Sequence, residues 1–301
     1  MNALDVEQIV KRYDKFTAVD KISFHITEGS MFGLLGPNGA GKSTTMRMIM
    51  NIIRPDEGAI RLFGEGFREN SKNIVGYLPE ERGLYQKMKI IDVLQFLGEM
   101  KGLSSSDAKS RSLNWLERFG MSDRADRKVE ELSKGLQQNV QFISTVLHRP
   151  KLLIVDEPFS GLDPVNSQFL KDTLLQLKKE GTTIILSTHL MDQAERLCDT
   201  ICLINGGKIV VSGELSGIKR AHSSNSVVLE YSGDGDFIKS LPYVAGIDNY
   251  GNYMEVHLSG DSKPQQLFKE LAQSPLEISR FEAAETSLNE IFIKLVGGKR
   301  S

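Results

Sequence analysis

Residues 36–44 read Gly36-Pro37-Asn38-Gly39-Ala40-Gly41-Lys42-Ser43-Thr44 and fit the pattern G-x-x-x-x-G-K-[ST] at every fixed position. An apolar run, residues 31–35, leads into them, and Met46, Ile49, Met50 and Ile53 follow at helical spacing. Strand, glycine-rich loop and helix are the context in which that pattern cradles phosphate. Small residues let successive backbone N–H groups approach phosphate oxygens, and the start of the helix adds its positive dipole end. Lys42 is expected to reach the β- and γ-phosphates of a nucleotide. The Ser43 hydroxyl is expected to ligate magnesium (Mg2+), and Thr44 to support the phosphate contacts.

Further along, residues 152–155 (Leu-Leu-Ile-Val) form a buried-strand pattern that ends in Asp156 and Glu157. Beside a phosphate loop, Asp156 at the strand end is expected to hold Mg2+ through water. Glu157, one residue on, is expected to orient or deprotonate the water that attacks the terminal phosphate. Phosphoryl transfer asks mainly for positioning and charge neutralisation, so a metal, a lysine and a water-orienting group suffice. No guanine-reading N-K-x-D element is present, and nothing marks the lid or acceptor site of a small-molecule kinase.

The surrounding chain sets the scaffold. Its 301 residues point to two domains. A net charge of -2 gives no overall field that favours nucleic acid or acidic lipid. Two cysteines, Cys198 and Cys202, make neither a disulfide framework nor a four-ligand zinc site. Residues 1–13 are charged throughout and lack the apolar core of a signal peptide. No window approaches the roughly 18 apolar residues that span a bilayer. The chain is thus expected to be soluble, reaching a membrane only by docking on a partner.

Strand signals at Val19–Ile26, 31–35, 74–78, 152–155, 183–186 and 201–204 alternate with helical patterns, which argues for an α/β core with a largely parallel sheet. Between them, Val93, Leu94, Phe96, Leu97 and Met100 suggest one amphipathic helix, and Leu113, Trp115, Leu116 and Phe119 a second. A linker is expected over 213–225, on the evidence of Gly217, His222, Ser223, Ser224 and Asn225. After it the pattern is strand 227–231, helix 236–241, strand 244–248, strand 253–258, helix 265–272 and strand 276–281. That is the β-α-β-β-α-β order of ferredoxin-like folds, and a helix over 287–296 closes the chain.

With these motifs in this order, residues 4–215 resemble the ATP-binding-cassette (ABC) family. Leu132-Ser133-Lys134-Gly135-Leu136-Gln137-Gln138 resembles the family signature L-S-G-G-Q, with Lys134 and Leu136 as departures. Physically, Ser133 suits the N-cap of the helix that begins there. Ser160-Gly161-Leu162-Asp163 resembles the loop that crosses the family's dimer interface, and His189 resembles its switch histidine. Tyr13 matches the adenine-stacking aromatic, with Phe16 as the alternative. Glu80, in the segment 74–80, stands where the family has glutamine, a carboxylate able to approach Mg2+. The C-terminal part is similar to that of cassettes paired with export-type permeases, including those assigned to sodium or drug efflux.

The resemblance implies an α/β P-loop NTPase of the ABC type over 1–215, with a helical subdomain over about 88–148. A small α+β, ferredoxin-like domain would occupy 216–301. It implies an ATPase motor that binds ATP and Mg2+ and powers export through a separate membrane permease. Two cassettes, as homodimer or heterodimer, would hold each ATP between residues 36–44 of one chain and Ser133 and Gly135 of the other. The helical block and the Glu80 loop would touch the permease on the inner face of the cell membrane. Catalytic roles fall to Glu157, His189 and Lys42. Another class, a regulatory ABC ATPase acting on ribosomes or nucleic acid, usually carries two cassettes or a long coiled coil and an excess of basic residues, none of which is seen here. A third is a partner that binds ATP as a signal and scarcely hydrolyses it.

Overall fold

The computed structural model describes residues 1–81, 83–222, 225–251, 253–260, 262–284 and 286–297. Ser223 and Ser224 of the expected linker, and residues 298–301, lie outside them. β1 (Asn2–Tyr13) and β2 (Phe16–Thr27) form a long antiparallel pair, and β3 (Met31–Leu35) and α1 (Lys42–Ile49) flank the glycine-rich loop. β4 (Glu57–Leu62) and the short β5 (Glu65–Gly66) extend the first pair into a sheet ordered β2-β1-β4-β5. β6 (Val75–Leu78) leads into a helical block of α2 (Ile90–Met100), α3 (Ser105–Arg118) and α4 (Lys134–Val146). β7 (Leu152–Asp156), α5 (Pro164–Lys179), β8 (Thr183–Thr188), α6 (Met191–Leu197), β9 (Thr200–Asn205) and β10 (Lys208–Glu214) follow.

The central sheet runs β10-β9-β3-β8-β7-β6. Every pair in it is parallel except β9 with β10. Its inner strands read as unbroken apolar runs because elements cover both faces. All residues of β3, β7 and β8 are buried. One core cluster joins this sheet to the first, from Leu4 and Ile22 to Phe32, Met46 and Ile154. A second core belongs to the helical block, where Ile90, Val93, Leu94 and Leu116 meet Val140, Ile143 and Leu147. The helical spacing expected to run through Met50 and Ile53 breaks at Ile49, because Asn51 takes a left-handed backbone (φ 53°) and Pro55 follows. Among the described residues no helix is long and apolar enough to cross a membrane.

The chain divides into two compact units, Met1–Leu215 and Ser216–Ser301. The stretch expected as a linker is mostly α7 (Leu215–His222). Leu215 and Ile218 bury one turn apart, and Lys219, Arg220 and His222 gather in its last turn, where positive charge suits the dipole. The second unit holds β11 (Ser226–Ser232), β12 (Val244–Asn249), β13 (Met254–Leu258), α8 (Pro264–Ala272), β14 (Glu277–Ala284) and α9 (Leu288–Gly297). Its antiparallel sheet is ordered β12-β13-β11-β14, with Val227, Leu229, Val256 and Leu267 in its core. The helix expected over 236–241 is only a 3₁₀ turn, Asp236–Ser240, since five residues are too few for a stable α-helix.

Candidate functional site

The loop between β3 and α1 turns sharply because two glycines permit it. Gly36 sits at φ 148°, and a Cβ there would lie 2.1 Å from the Ile204 carbonyl oxygen. Gly41, the N-cap of α1, sits at φ 108°, and its Cβ would lie 2.5 Å from the Ala18 carbonyl oxygen. Only glycine fits both the backbone angle and the contact. Inside this turn the Lys42 ammonium donates to the carbonyls of Gly36 (2.7 Å) and Pro37 (3.2 Å). An ammonium carries three donors, so two loop carbonyls fix its direction without exhausting it. Burial pushes Lys42 below its ordinary value, and Glu157, Asp156 and Glu80 oppose that fall.

Parallel pairing brings the acid pair to this loop. β8 lies between β3 and β7, so the ends of all three strands open on one edge. The Ser43 hydroxyl donates to Asp156 Oδ2 at 3.2 Å. Asp156 is only 4% exposed, and burial raises it above the usual carboxylate range. Glu157 is also buried and has a left-handed backbone, φ 47°. Its N–H donates to the Ser187 carbonyl at 2.9 Å. Its side chain turns back to the end of β8, where Oε2 accepts from Thr188 Oγ1 (3.0 Å). Oε1 takes the His189 backbone N–H (2.9 Å) and lies 2.7 Å from His189 Nδ1.

A cleft of about 420 Å³ gathers most of the residues singled out from the sequence. Asn38, Gly39, Ala40, Gly41, Lys42, Ser43 and Thr44 line it, with Asp156, Glu157, Glu80 and both aromatics, Tyr13 and Phe16. Both rings are largely exposed, and the Lys11 ammonium lies 5.7 Å from the centre of the Tyr13 ring. Gly36 and Pro37 act from beneath through their carbonyls. Besides these two, three further candidates are not on the lining: Ser133, Gly135 and His189. Ser133 is the N-cap of α4, accepting from the Leu136 N–H. A Cβ on Gly135 would meet Leu162 at 3.7 Å, so the signature segment adjoins the 160–163 loop of its own chain. Asp163 of that loop caps α5 through the N–H groups of Val165 and Asn166.

Thr188 and Gln138 take positions at the site that their sequence neighbours do not signal. Gln138 ties α4 to the turn after the acid pair by donating to the Pro158 carbonyl, and Gln141 donates to the Glu81 carbonyl at 3.1 Å. Thr188 stood in plain view between Ser187 and His189, but its partner lies 31 positions away in the chain.

The family model described as ABC transporter matches residues 19–160, and the model described as ATP-binding protein DrrA1-3-like, C-terminal domain, matches residues 213–296. The Uncharacterized ABC transporter ATP-binding protein YhaQ of Bacillus subtilis is 43% identical over 98% of this chain and 98% of its own. The Linearmycin resistance ATP-binding protein LnrL of Bacillus subtilis is 32% identical, again over 98% of both. The solved structure of an ATP binding subunit of an ABC transporter is 32% identical, with a TM-score of 0.68 over 73% of this chain and 92% of the other. A phosphate cradle beside a buried acid pair agrees with these matches, and the chain belongs to the ATP-binding, ATP-hydrolysing subunits of the ABC transporter family.

Proposed function

We propose that the chain is the motor of an exporter, in which two cassettes close on ATP and drive a separate membrane permease. The observation that carries this is the convergence of Lys42, Ser43, Asp156 and Glu157 on one cleft. The loop N–H groups and Lys42 bind the β- and γ-phosphates. Tyr13, or Phe16 beside it, stacks on the adenine. Glu157 holds the attacking water and takes its proton, and His189, resting on Glu157, reaches the terminal phosphate when the cleft is filled.

Magnesium fits the donors present. Ser43 and Asp156 offer hard oxygens, Glu80 lines the same cleft, and a carboxylate as buried as Asp156 favours a cation beside it. Among the described residues no group of three or more His, Cys, Asp or Glu forms a metal cage. Nucleotide oxygens and water would therefore complete the shell, the usual arrangement for Mg2+. When bound, the ion neutralises charge on the β- and γ-oxygens.

Ser133 and Gly135 lie off the cleft, which supports their acting on the nucleotide of a second cassette. ATP then joins two chains, and loss of the γ-phosphate releases them. A groove of about 860 Å³ lies where α1, β6, α2 and α4 meet. Met50, Tyr77, Leu97 and Met100 make it apolar, and Lys72 and Lys101 add positive charge. We assign it to a cytoplasmic segment of the permease, with the chain docked on the inner face of the membrane. Export is supported by a relative named as a Nod factor export ATP-binding protein. The test is capture of tagged full-length Glu157→Gln protein from detergent-solubilised membranes of the source cell, with and without ATP. An integral membrane protein recovered in fixed ratio is the expected result. Ribosomes or nucleic acid alone would remove the transporter reading and leave only the ATPase.

A further inference from the structure

We infer that Thr188 is the positioning residue for Glu157, fixing the carboxylate so that it faces the attacking water. This rests on the reading of Glu157 as the water-orienting group. Thr188 ends β8 and is fully buried. It pairs in register with Leu35, the residue before the phosphate loop, and its neighbour Ser187 pairs with Asp156. It is therefore anchored to both strands that build the cleft. Its hydroxyl has a defined direction. The Leu190 N–H donates to Thr188 Oγ1 at 3.1 Å and occupies a lone pair, so the hydroxyl hydrogen is delivered to Glu157 Oε2 at 3.0 Å.

The two oxygens of Glu157 thus rest on different supports. Oε1 is held by His189, whose side chain is 47% exposed. Oε2 is held by a buried hydroxyl on a strand end. His189 is free to swing toward a phosphate, whereas Thr188 is not. When the His189 side chain leaves, the His189 backbone N–H still holds Oε1, and Thr188 holds Oε2 against rotation of the carboxylate. A reacting group that loses its alignment loses rate without losing substrate affinity.

The experiment compares full-length wild type, Thr188→Val, Thr188→Ser and Glu157→Gln. Single-turnover hydrolysis of ATP with magnesium gives the rate, and a fluorescent ATP analogue gives the affinity. Valine keeps the shape and removes the hydroxyl, and serine keeps the hydroxyl. Thr188→Val is expected to slow hydrolysis about ten- to a hundredfold with unchanged affinity, and Thr188→Ser to restore most of the rate. If Thr188→Val does not fold, Thr188→Ala offers the same contrast with serine. The proposal is overturned if the hydroxyl-free variants hydrolyse as fast as Thr188→Ser, or if their loss is wholly one of nucleotide binding. A Glu157→Gln variant that turns over normally removes the underlying reading instead.

Discussion

Lys42 and Asp156 are both buried charges, and burial acts against each in its own direction: down for the ammonium, up for the carboxylate. Neither cost is met by a close direct pair between them. Lys42 leans on two carbonyls and Asp156 on the Ser43 hydroxyl, an arrangement that leaves both groups suited to an incoming phosphate and its cation. Lys42→Ala removes a charge-assisted contact, so nucleotide affinity is expected to fall about ten- to a hundredfold in an equilibrium binding titration. His148 shows the same cost without a functional gain in the cleft. Burial first, then Lys101 and Arg111, lower it from 6.5 to about 4, against the Val75 carbonyl. The folded value lies below the unfolded one, so its share of stability is full above pH 6.5 and is lost as the pH falls toward 4. Between pH 7 and 4.5 that share is on the order of 2–3 kcal/mol. His148→Gln is expected to abolish it, as read from urea unfolding followed by the fluorescence of Trp115, which packs on Phe142 in the same helical block. Contiguous residues such as Lys42 and Ser43 were legible in sequence because their spacing is their chemistry. The Glu157–Thr188–His189 contacts were not, since parallel pairing alone brings β7 and β8 together.

At the scale of elements, legibility followed periodicity. β3, β7 and β8 announce themselves as apolar runs, and α2 and α3 as helical spacings. β1 did not: its buried positions, such as Leu4, Val6, Ile9 and Val10, fall out of strict alternation where the ladder to β2 slips register. β10 was hidden too, because its residues are exposed or half-buried and its edge lacks a neighbour in the sheet. The helical form of α7 was hidden because glycine and serine outweigh Leu215 and Ile218 in the stretch where the two units divide. The phosphate loop is the element whose fold depends most on single residues. Gly36→Ala forces a Cβ against the Ile204 carbonyl at an angle that L-residues avoid. The expected result is a loss of roughly 2–4 kcal/mol in chemical denaturation, together with loss of nucleotide binding.

Across the whole molecule, the cleft of one chain supplies the cradle, the acids and the stacking rings but not the signature residues. The pairing proposed above would bring Ser133 and Gly135 of a second chain to this cleft, so that one γ-phosphate holds two chains. Gly135 is where the proposed assembly role can be separated from folding. It lies in the first turn of α4, where the helix has no acidic residue. A Cβ there meets only Leu162 at ordinary contact distance, and an aspartate suits the positive end of the helix. The Gly135→Asp chain is therefore expected to be as stable as the parent and to bind ATP in its own cleft within about twofold. Facing the γ-phosphate of a second chain, however, the same carboxylate is a like charge at close range. In light scattering with ATP, full-length Glu157→Gln protein is expected to double its mass, and the Glu157→Gln, Gly135→Asp chain to stay at 33.5 kDa. If the double variant pairs as readily as the single one, Gly135 does not face the partner's nucleotide, and the head-to-tail arrangement has to be given up while the single-chain cleft stands.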